Sequence, residues 1–295
     1  CSLHDEPATL DYAQRLARSA AQFSQELFIV MRTYFSKPRT STGWTGIVYD
    51  PLSDGRAAVA EGLLATRKIL MELNKIIPTA AEFLDTVTPC YLSDLISWCA
   101  IGARTSASHI HRELASGLAM PVGFKNSVAG NVQIAIDAVK VASQAQHYIG
   151  LNTEALAAAI QTRGNEAAHI ILRGSLHKAN YYPEDLEAAI AGLNKAKLTP
   201  RLMIDCSHDN CRKDYAQQAQ VVKEVAQYLS THRQALCGVM IESNLIGGKQ
   251  ALGPRADLIY GQSITDPCLS WEETEPLLAD LATAVRMQTD EYASN

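Results

Sequence analysis

The chain has 295 residues, 47% apolar and 19% charged, enough for two average domains or one large α/β barrel and too apolar for disorder. A net charge of −5 and a pI near 5.9 lack the basic stripe of a nucleic-acid binder, and no run of 18 apolar residues offers a membrane span. Seven cysteines, an odd number set mostly inside apolar segments, point to a reduced, cytoplasmic protein rather than a disulfide framework.

Short apolar runs alternate with amphipathic stretches from end to end. In chain order the spacing predicts a helix over 8–24, a strand over 26–32, a helix over 57–74, strands over 80–84 and 98–103, and a helix over 107–117. A strand over 121–125 and a helix over 129–145 follow, then strands over 147–151 and 168–173 and a helix over 184–196. The series closes with a strand over 201–206, a helix over 214–231, a strand over 236–242 and a helix over 274–289. Leu186, Ile190 and Leu193, or Val222, Val225 and Leu229, show the three- and four-residue recurrence of a helix face. Continuous apolar strands alternating with helices indicate a parallel sheet covered on its outside. No linker or repeat divides the chain, so residues 1–295 read as one catalytic domain.

Polar groups recur at the carboxyl ends of these strands: Arg32, Glu82, Arg104, Lys125, Arg173, His208 and Glu242. A barrel gathers such ends around one mouth, whereas an open sheet spreads them along an edge, so the expected fold is a (β/α)₈ TIM barrel. The weakest stave is 147–151, which could form an accessory hairpin instead. In that case the first barrel strand lies upstream and ends at Cys1, and this chain lacks a stave, exposes two sheet edges and aggregates. The start on Cys1, with no initiator Met and no signal peptide, is that of a processed or truncated chain.

Six cations follow or flank apolar runs: Arg32, Lys37, Arg39, Arg104, Lys125 and Arg173. Charges are rarely buried without a partner, so they call for anions, either the chain's own carboxylates or a substrate carrying phosphate and carboxylate. Lys37-Pro38-Arg39-Thr40 joins two charges and a hydroxyl on one rigid loop, a phosphate-type arrangement that also suits a solvated turn. Cys1, His208, Glu242 and Asp266 offer thiolate, imidazole and carboxylates for a divalent metal. Spacing alone leaves a duller option open: a terminal cysteine, a polar strand end and two capping acids. Cys206 and Cys211 read as unrelated thiols. His109, His111, His147, His169, His177 and His232 read as surface or packing residues.

Longer stretches give these residues a context. They include Cys1-Ser-Leu-His-Asp5, Ile29-Val-Met-Arg-Thr-Tyr-Phe35, Lys37-Pro-Arg-Thr40, Gly43-Trp44, Glu82-Phe-Leu-Asp85 and Ser97-Trp98. Ala100-Ile-Gly-Ala-Arg-Thr105, His111 through Leu118, Pro121-Val-Gly-Phe-Lys-Asn126, His169-Ile-Ile-Leu-Arg-Gly174, Met203-Ile-Asp205 with Ser207-His208, and Gly261 through Asp266 complete the set. Over essentially its whole length the chain resembles the class I (type Iα, microbial) 3-deoxy-D-arabino-heptulosonate 7-phosphate (DAHP) synthases.

That resemblance implies a (β/α)₈ barrel and a transferase that joins phosphoenolpyruvate to erythrose 4-phosphate, releasing phosphate, at the head of the shikimate pathway. It implies one divalent metal (Mn, Fe, Co, Zn or Cu) on Cys1, His208, Glu242 and Asp266, and a phosphoenolpyruvate clamp of Arg32, Lys37, Glu82 through water, Arg104, Lys125 and Arg173. Arg39 and Thr40 would take the erythrose 4-phosphate. Lys37 would donate a proton, while His208 and Cys1 would serve catalysis as ligands. A homodimer or homotetramer with an aromatic amino-acid effector is implied too. The chain departs from the pattern at its start, where the Gly-Pro before the cysteine and an N-terminal extension are missing, and at Thr45, Ser175 and segment 150–160. The altered segment supports a competing reading, a related phosphoenolpyruvate–sugar-phosphate condensation. A non-catalytic phosphometabolite-binding paralogue is disfavoured by the presence of Lys37 and the four metal-type residues.

Overall fold

The computed structural model describes residues 3–37, 43–152, 154–232 and 235–293. Its strands are β1 (Met31–Arg32), β2 (Thr79–Glu82), β3 (Trp98–Ile101), β4 (Val122–Lys125), β5 (His147–Leu151), β6 (Ala157–Gln161), β7 (His169–Leu172), β8 (Leu202–Asp205), β9 (Leu236–Met240), β10 (Ile246–Lys249) and β11 (Gln262–Ser263). The helices are α1 (Glu6–Gln22), α2 (Val59–Asn74), α3 (Pro89–Leu92), α4 (His109–Gly117), α5 (Gln133–Ala142), α6 (Pro183–Lys195), α7 (Gln218–His232) and α8 (Trp271–Ala293). Helix α1 illustrates the local logic. The Asp5 carboxylate caps it by accepting from the Ala8 N–H at 3.3 Å, proline occupies its first turn, and Thr9, Tyr12, Ala13 and Leu16 form its buried face.

Seven strands form one parallel sheet in the order β1-β2-β3-β4-β7-β8-β9. The main core lies between this sheet and the helices, with Leu70 and Leu73 of α2, Leu186 and Leu193 of α6, and Val222 and Val225 of α7 buried against it. A second, smaller apolar cluster (Ala100, Ile171 and Met240, flanked by Trp98 and Met203) fills the concave side. Two separate cores, one on each face of a parallel sheet, are what a barrel requires.

The stave expected at 147–151 lies elsewhere. β5 pairs antiparallel with β6, from His147↔Gln161 to Leu151↔Ala157, as a free-standing hairpin whose Ile149 is 88% exposed. The described residues therefore supply seven staves of the barrel architecture. β1 and β9 each have one strand neighbour and face one another across a cavity of about 700 Å³, walled by Ile29–Met31 on one side and Leu236–Met240 on the other. The strand expected over 26–32 shrinks to two residues for the same reason: β2 engages only its end, and no described strand flanks its other side. β6, β10, β11 and the one-turn α3 were not anticipated, and α8 starts at Trp271 and runs through Pro276. No helix among the described residues is long and apolar enough to cross a membrane.

Candidate active site

Strand parity assembles the site. In parallel neighbours, paired residues point to the same face. Ala100 pairs with Gly123, Lys125 with Ile171, Ile171 with Met203, and Met240 with Asp205. The apolar plug of Ala100, Ile171, Met203 and Met240 thus shares its face with the next inward positions, two residues further along: Gly102, Arg173, Asp205 and Glu242. Lys125 and, by the pairing of Arg32 with Ala80 and Glu82 with Ala100, Arg32 and Glu82 join them. A layer of charge rests on a layer of hydrocarbon. Gly102 is the gap in it; a Cβ there would come 2.6 Å from Glu82 Oε1.

Each buried cation in the layer has a carboxylate. Arg32 Nη2 donates to Glu82 Oε2 at 2.9 Å, and its Nη1 lies 4.0 Å from Glu242. Lys125 Nζ lies 3.2 Å from Asp205 and 3.9 Å from Glu82. Arg173 pairs with buried Asp209, and Lys37 with Asp266. Burial pushes the Glu82 carboxyl up, but Lys125 and then Arg32 outweigh it and hold it below its usual range. Asp205, fully buried, is driven up by desolvation yet ends well below the usual range because His208 and Lys125 face it. Asp266 is likewise raised by burial and lowered further by Lys37.

Tyr34 ties the layer together. Arg32 and Lys37 lie against its ring at 4.3 and 4.4 Å from the centroid, and its hydroxyl donates to Glu242 Oε1 at 3.0 Å. Burial pushes its phenol well above the ordinary value, so it stays a donor.

His208, Glu242 and Asp266 bring one ligand-type atom each within 4.8 Å of one another. One imidazole and two carboxylates suit a divalent cation, and small side-chain adjustments would close them on one ion at about 2.0–2.2 Å. His208 adopts φ +55, a left-handed conformation uncommon for a side chain of this size and found at functional positions. Gly174, at φ +75, is needed directly after Arg173; a Cβ there would stand 2.7 Å from the Asn210 nitrogen.

The structure thus brings together Arg32, Lys37, Glu82, Lys125, Arg173, His208, Glu242 and Asp266. Cys1, Arg39 and Thr40 lie outside the described residues. Arg104 stands on the turn after β3, exposed, with no hydrogen bond or ion pair to another described residue. The apolar strand stops at Ile101, and the turn that follows leaves Arg104 exposed at the carboxyl end of β3. His111 and His169 are packing residues as expected. His111 is buried between Ser108 and the Leu84 carbonyl, and His169 accepts from Trp98 Nε1 at 3.2 Å. Asp205, Asp209 and Tyr34 went unread. Asp205 carries the same signal that marked the cations, a charge ending an apolar strand. Tyr34 carries none, since alternation with Arg32 reads equally as a buried aromatic.

A cationic, carboxylate-laced mouth at the carboxyl end of a curled parallel sheet defines an α/β-barrel enzyme for anionic substrates. The sequence profile of the DAHP synthetase I family matches residues 1–279. The chain is 46% identical over 283 residues to the Tyr-sensitive phospho-2-dehydro-3-deoxyheptonate aldolase of Escherichia coli K12, covering 95% of this chain and 79% of that protein. It is 46% identical over 286 residues to the Trp-sensitive enzyme of the same organism, covering 97% and 82%. A solved structure of phospho-2-dehydro-3-deoxyheptonate aldolase from Francisella tularensis SCHU S4 superposes with a TM-score of 0.94 at 43% identity, covering 98% of this chain and 84% of the other. The chain belongs to the DAHP synthetase I family.

Proposed function

We propose that the chain is a metal-dependent, cytoplasmic DAHP synthase, condensing phosphoenolpyruvate with erythrose 4-phosphate to DAHP and phosphate at the head of the shikimate pathway, and that residues 1–295 act as one catalytic barrel domain. The observation that carries this reading is the contact between two features: a cluster of Arg32, Lys37, Lys125 and Arg173, and the His208–Glu242–Asp266 trio beside it.

The residues divide the work by chemistry. Arg32, Lys125 and Arg173 hold phosphoenolpyruvate by its phosphate and carboxylate, Arg104 reaches it from the rim, and Glu82 meets it through water. Arg39 and Thr40 take the phosphate of erythrose 4-phosphate; Lys37, two positions before Arg39, donates its N–H to the Thr45 carbonyl at 2.9 Å. His208, Glu242 and Asp266 hold a divalent metal among Mn, Fe, Co, Zn and Cu, with Cys1 as fourth ligand. Leu3, two residues after Cys1, donates to the Tyr34 carbonyl at 3.3 Å, which favours that assignment. The bound metal would supply Lewis-acid polarisation of the aldehyde oxygen.

C3 of phosphoenolpyruvate attacks the aldehyde carbon, and one carbon–carbon bond forms. Lys37 exchanges Asp266 for the substrate and gives its proton to the oxygen that gains charge. Water adds at C2, and the tetrahedral adduct collapses to the C2 ketone as phosphate departs with its ester oxygen; one water proton restores Lys37 and the other leaves with the phosphate, whose charge Arg173 and Lys125 stabilise. The fixed cations also hold two anionic substrates together against their repulsion. The exposed hairpin face around Ile149 favours assembly as a homodimer or homotetramer, and the names of the relatives favour an aromatic amino-acid effector. Incubation with both substrates and Mn²⁺, followed by mass spectrometry, tests the reading. A seven-carbon phosphorylated keto acid is expected; unchanged substrates, with phosphoenolpyruvate still bound, would shift the assignment to another acceptor.

A further inference from the structure

Asp205, the last residue of β8, has no exposed surface. Its Oδ1 accepts from the Ser207 N–H at 3.0 Å and from the Ser207 hydroxyl at 2.6 Å. Its Oδ2 lies near two other groups, His208 Nδ1 at 2.9 Å and Lys125 Nζ at 3.2 Å, ion-pair approaches without the alignment of a hydrogen bond. The opposite nitrogen of His208, Nε2, looks toward Glu242 Oε1 at 4.0 Å. One carboxylate oxygen therefore stands between the metal-type cluster and the substrate cations.

We propose that Asp205 is a positioning residue that couples metal binding to phosphoenolpyruvate binding by sharing Oδ2 between His208 and Lys125. This rests on the site assignments made above. The tautomer of His208 follows from its neighbours. The single proton of the Ser207 hydroxyl goes to Asp205, so that hydroxyl, 2.7 Å from Nδ1, can only accept from it. The Asp205 carboxylate also only accepts. Ser207 requires an N–H on Nδ1 and the nearby Asp205 charge favours it, which leaves the Nε2 lone pair free for a metal. A carboxylate behind a ligating histidine fixes the ring and raises its basicity.

The sharing makes the two sites interdependent. When an anionic substrate draws the Lys125 ammonium away, the charge on Oδ2 falls to His208 alone and strengthens that ligand. When a cation sits on Nε2, the ring carries more positive charge and attracts Oδ2 more strongly, so Lys125 is left more available to substrate. Each ligand tightens the other, by the same factor in both directions. Glu82, 3.9 Å from Lys125, keeps the ammonium partnered if Asp205 loses its charge, so a neutral replacement leaves the layer in place.

The test is calorimetric titration of the metal-stripped chain with Mn²⁺, with and without saturating phosphoenolpyruvate, in the wild type and in Asp205→Asn. Wild type should bind Mn²⁺, and phosphoenolpyruvate should tighten that binding at least about fivefold. In Asp205→Asn, Mn²⁺ affinity should fall about 10–100-fold and the enhancement should shrink at least threefold. Mn²⁺ affinity within twofold of wild type, or an undiminished enhancement, would overturn the coupling while leaving the function intact. A wild type that binds no Mn²⁺ would instead overturn the metal assignment. Should Asp205→Asn not fold, Ser207→Ala, which removes only the hydroxyl orienting Oδ1, should lower Mn²⁺ affinity and the enhancement together; a change in neither would overturn the proposal.

Discussion

Tyr34 donates to Glu242 at 3.0 Å, joining the segment after β1 to the segment after β9 across the side of the sheet where no described strand intervenes. A hydrogen bond to a charged, buried acceptor contributes about 1.5–3 kcal/mol. Tyr34→Phe should therefore lower Tm by several degrees and loosen Glu242, with Mn²⁺ affinity falling with it. Thermal unfolding and metal titration check both; an unchanged Tm would mean that the two ends are held by other contacts.

Among the described residues Lys37 pairs with one carboxylate, Asp266, and lies over one aromatic ring, Tyr34. If it is the proton donor, Lys37→Met should lower kcat about 10²–10⁴-fold. Removing its ammonium also frees Asp266, so Mn²⁺ affinity should hold or rise. Near-normal turnover would remove Lys37 from proton transfer.

Arg173 and Arg104 should behave oppositely. Arg173→Ala leaves Asp209 buried without its main partner, a loss of about 3–5 kcal/mol, visible as a fall in Tm of roughly 6 °C or more. Exposed Arg104 has no partner among the described residues, so Arg104→Ala should stay within about 0.5 kcal/mol of wild type while raising KM for phosphoenolpyruvate. A large Tm loss for Arg104→Ala, or an unchanged KM, would contradict its placement at the rim.

The acid side of the stability profile follows from three carboxylates. Glu82, Asp205 and Asp266 are all held below their ordinary values, so the folded chain binds fewer protons there than the unfolded chain. Their stabilisation is complete above the unfolded values, at about pH 4, and is lost as pH falls through the lower folded values. Tm of the metal-free protein should be level from about pH 6 to 5 and drop steeply below about 4. A Tm that stays level to about pH 3 would mean the charge layer contributes little.

The legible parts of the molecule are those where one residue signals its own environment. Arg32, Lys125 and Arg173 each end an apolar run; the first two prove to be inward positions of strands, and Arg173 the next inward position just beyond β7. Segment 147–151 alternates like a strand and is one, but alternation says nothing of which sheet it joins; its partner at 157–161 is too rich in alanine to stand out. Asp205 ends an apolar strand as Glu82 does, but its value lies in proximity to Lys125 and His208, one of them 80 positions away, which no local pattern shows. Arg104 follows an equally apolar run yet stands exposed, because the strand before it is buried and the turn that carries it is not.

The most direct measurement is phosphate release from phosphoenolpyruvate, with and without erythrose 4-phosphate, before chelation, after chelation and after Mn²⁺ re-addition. Release that requires the aldehyde, stops on chelation and returns with Mn²⁺ is the expected result. Release that ignores the aldehyde or survives chelation, or none at all despite bound phosphoenolpyruvate and metal, would contradict the account.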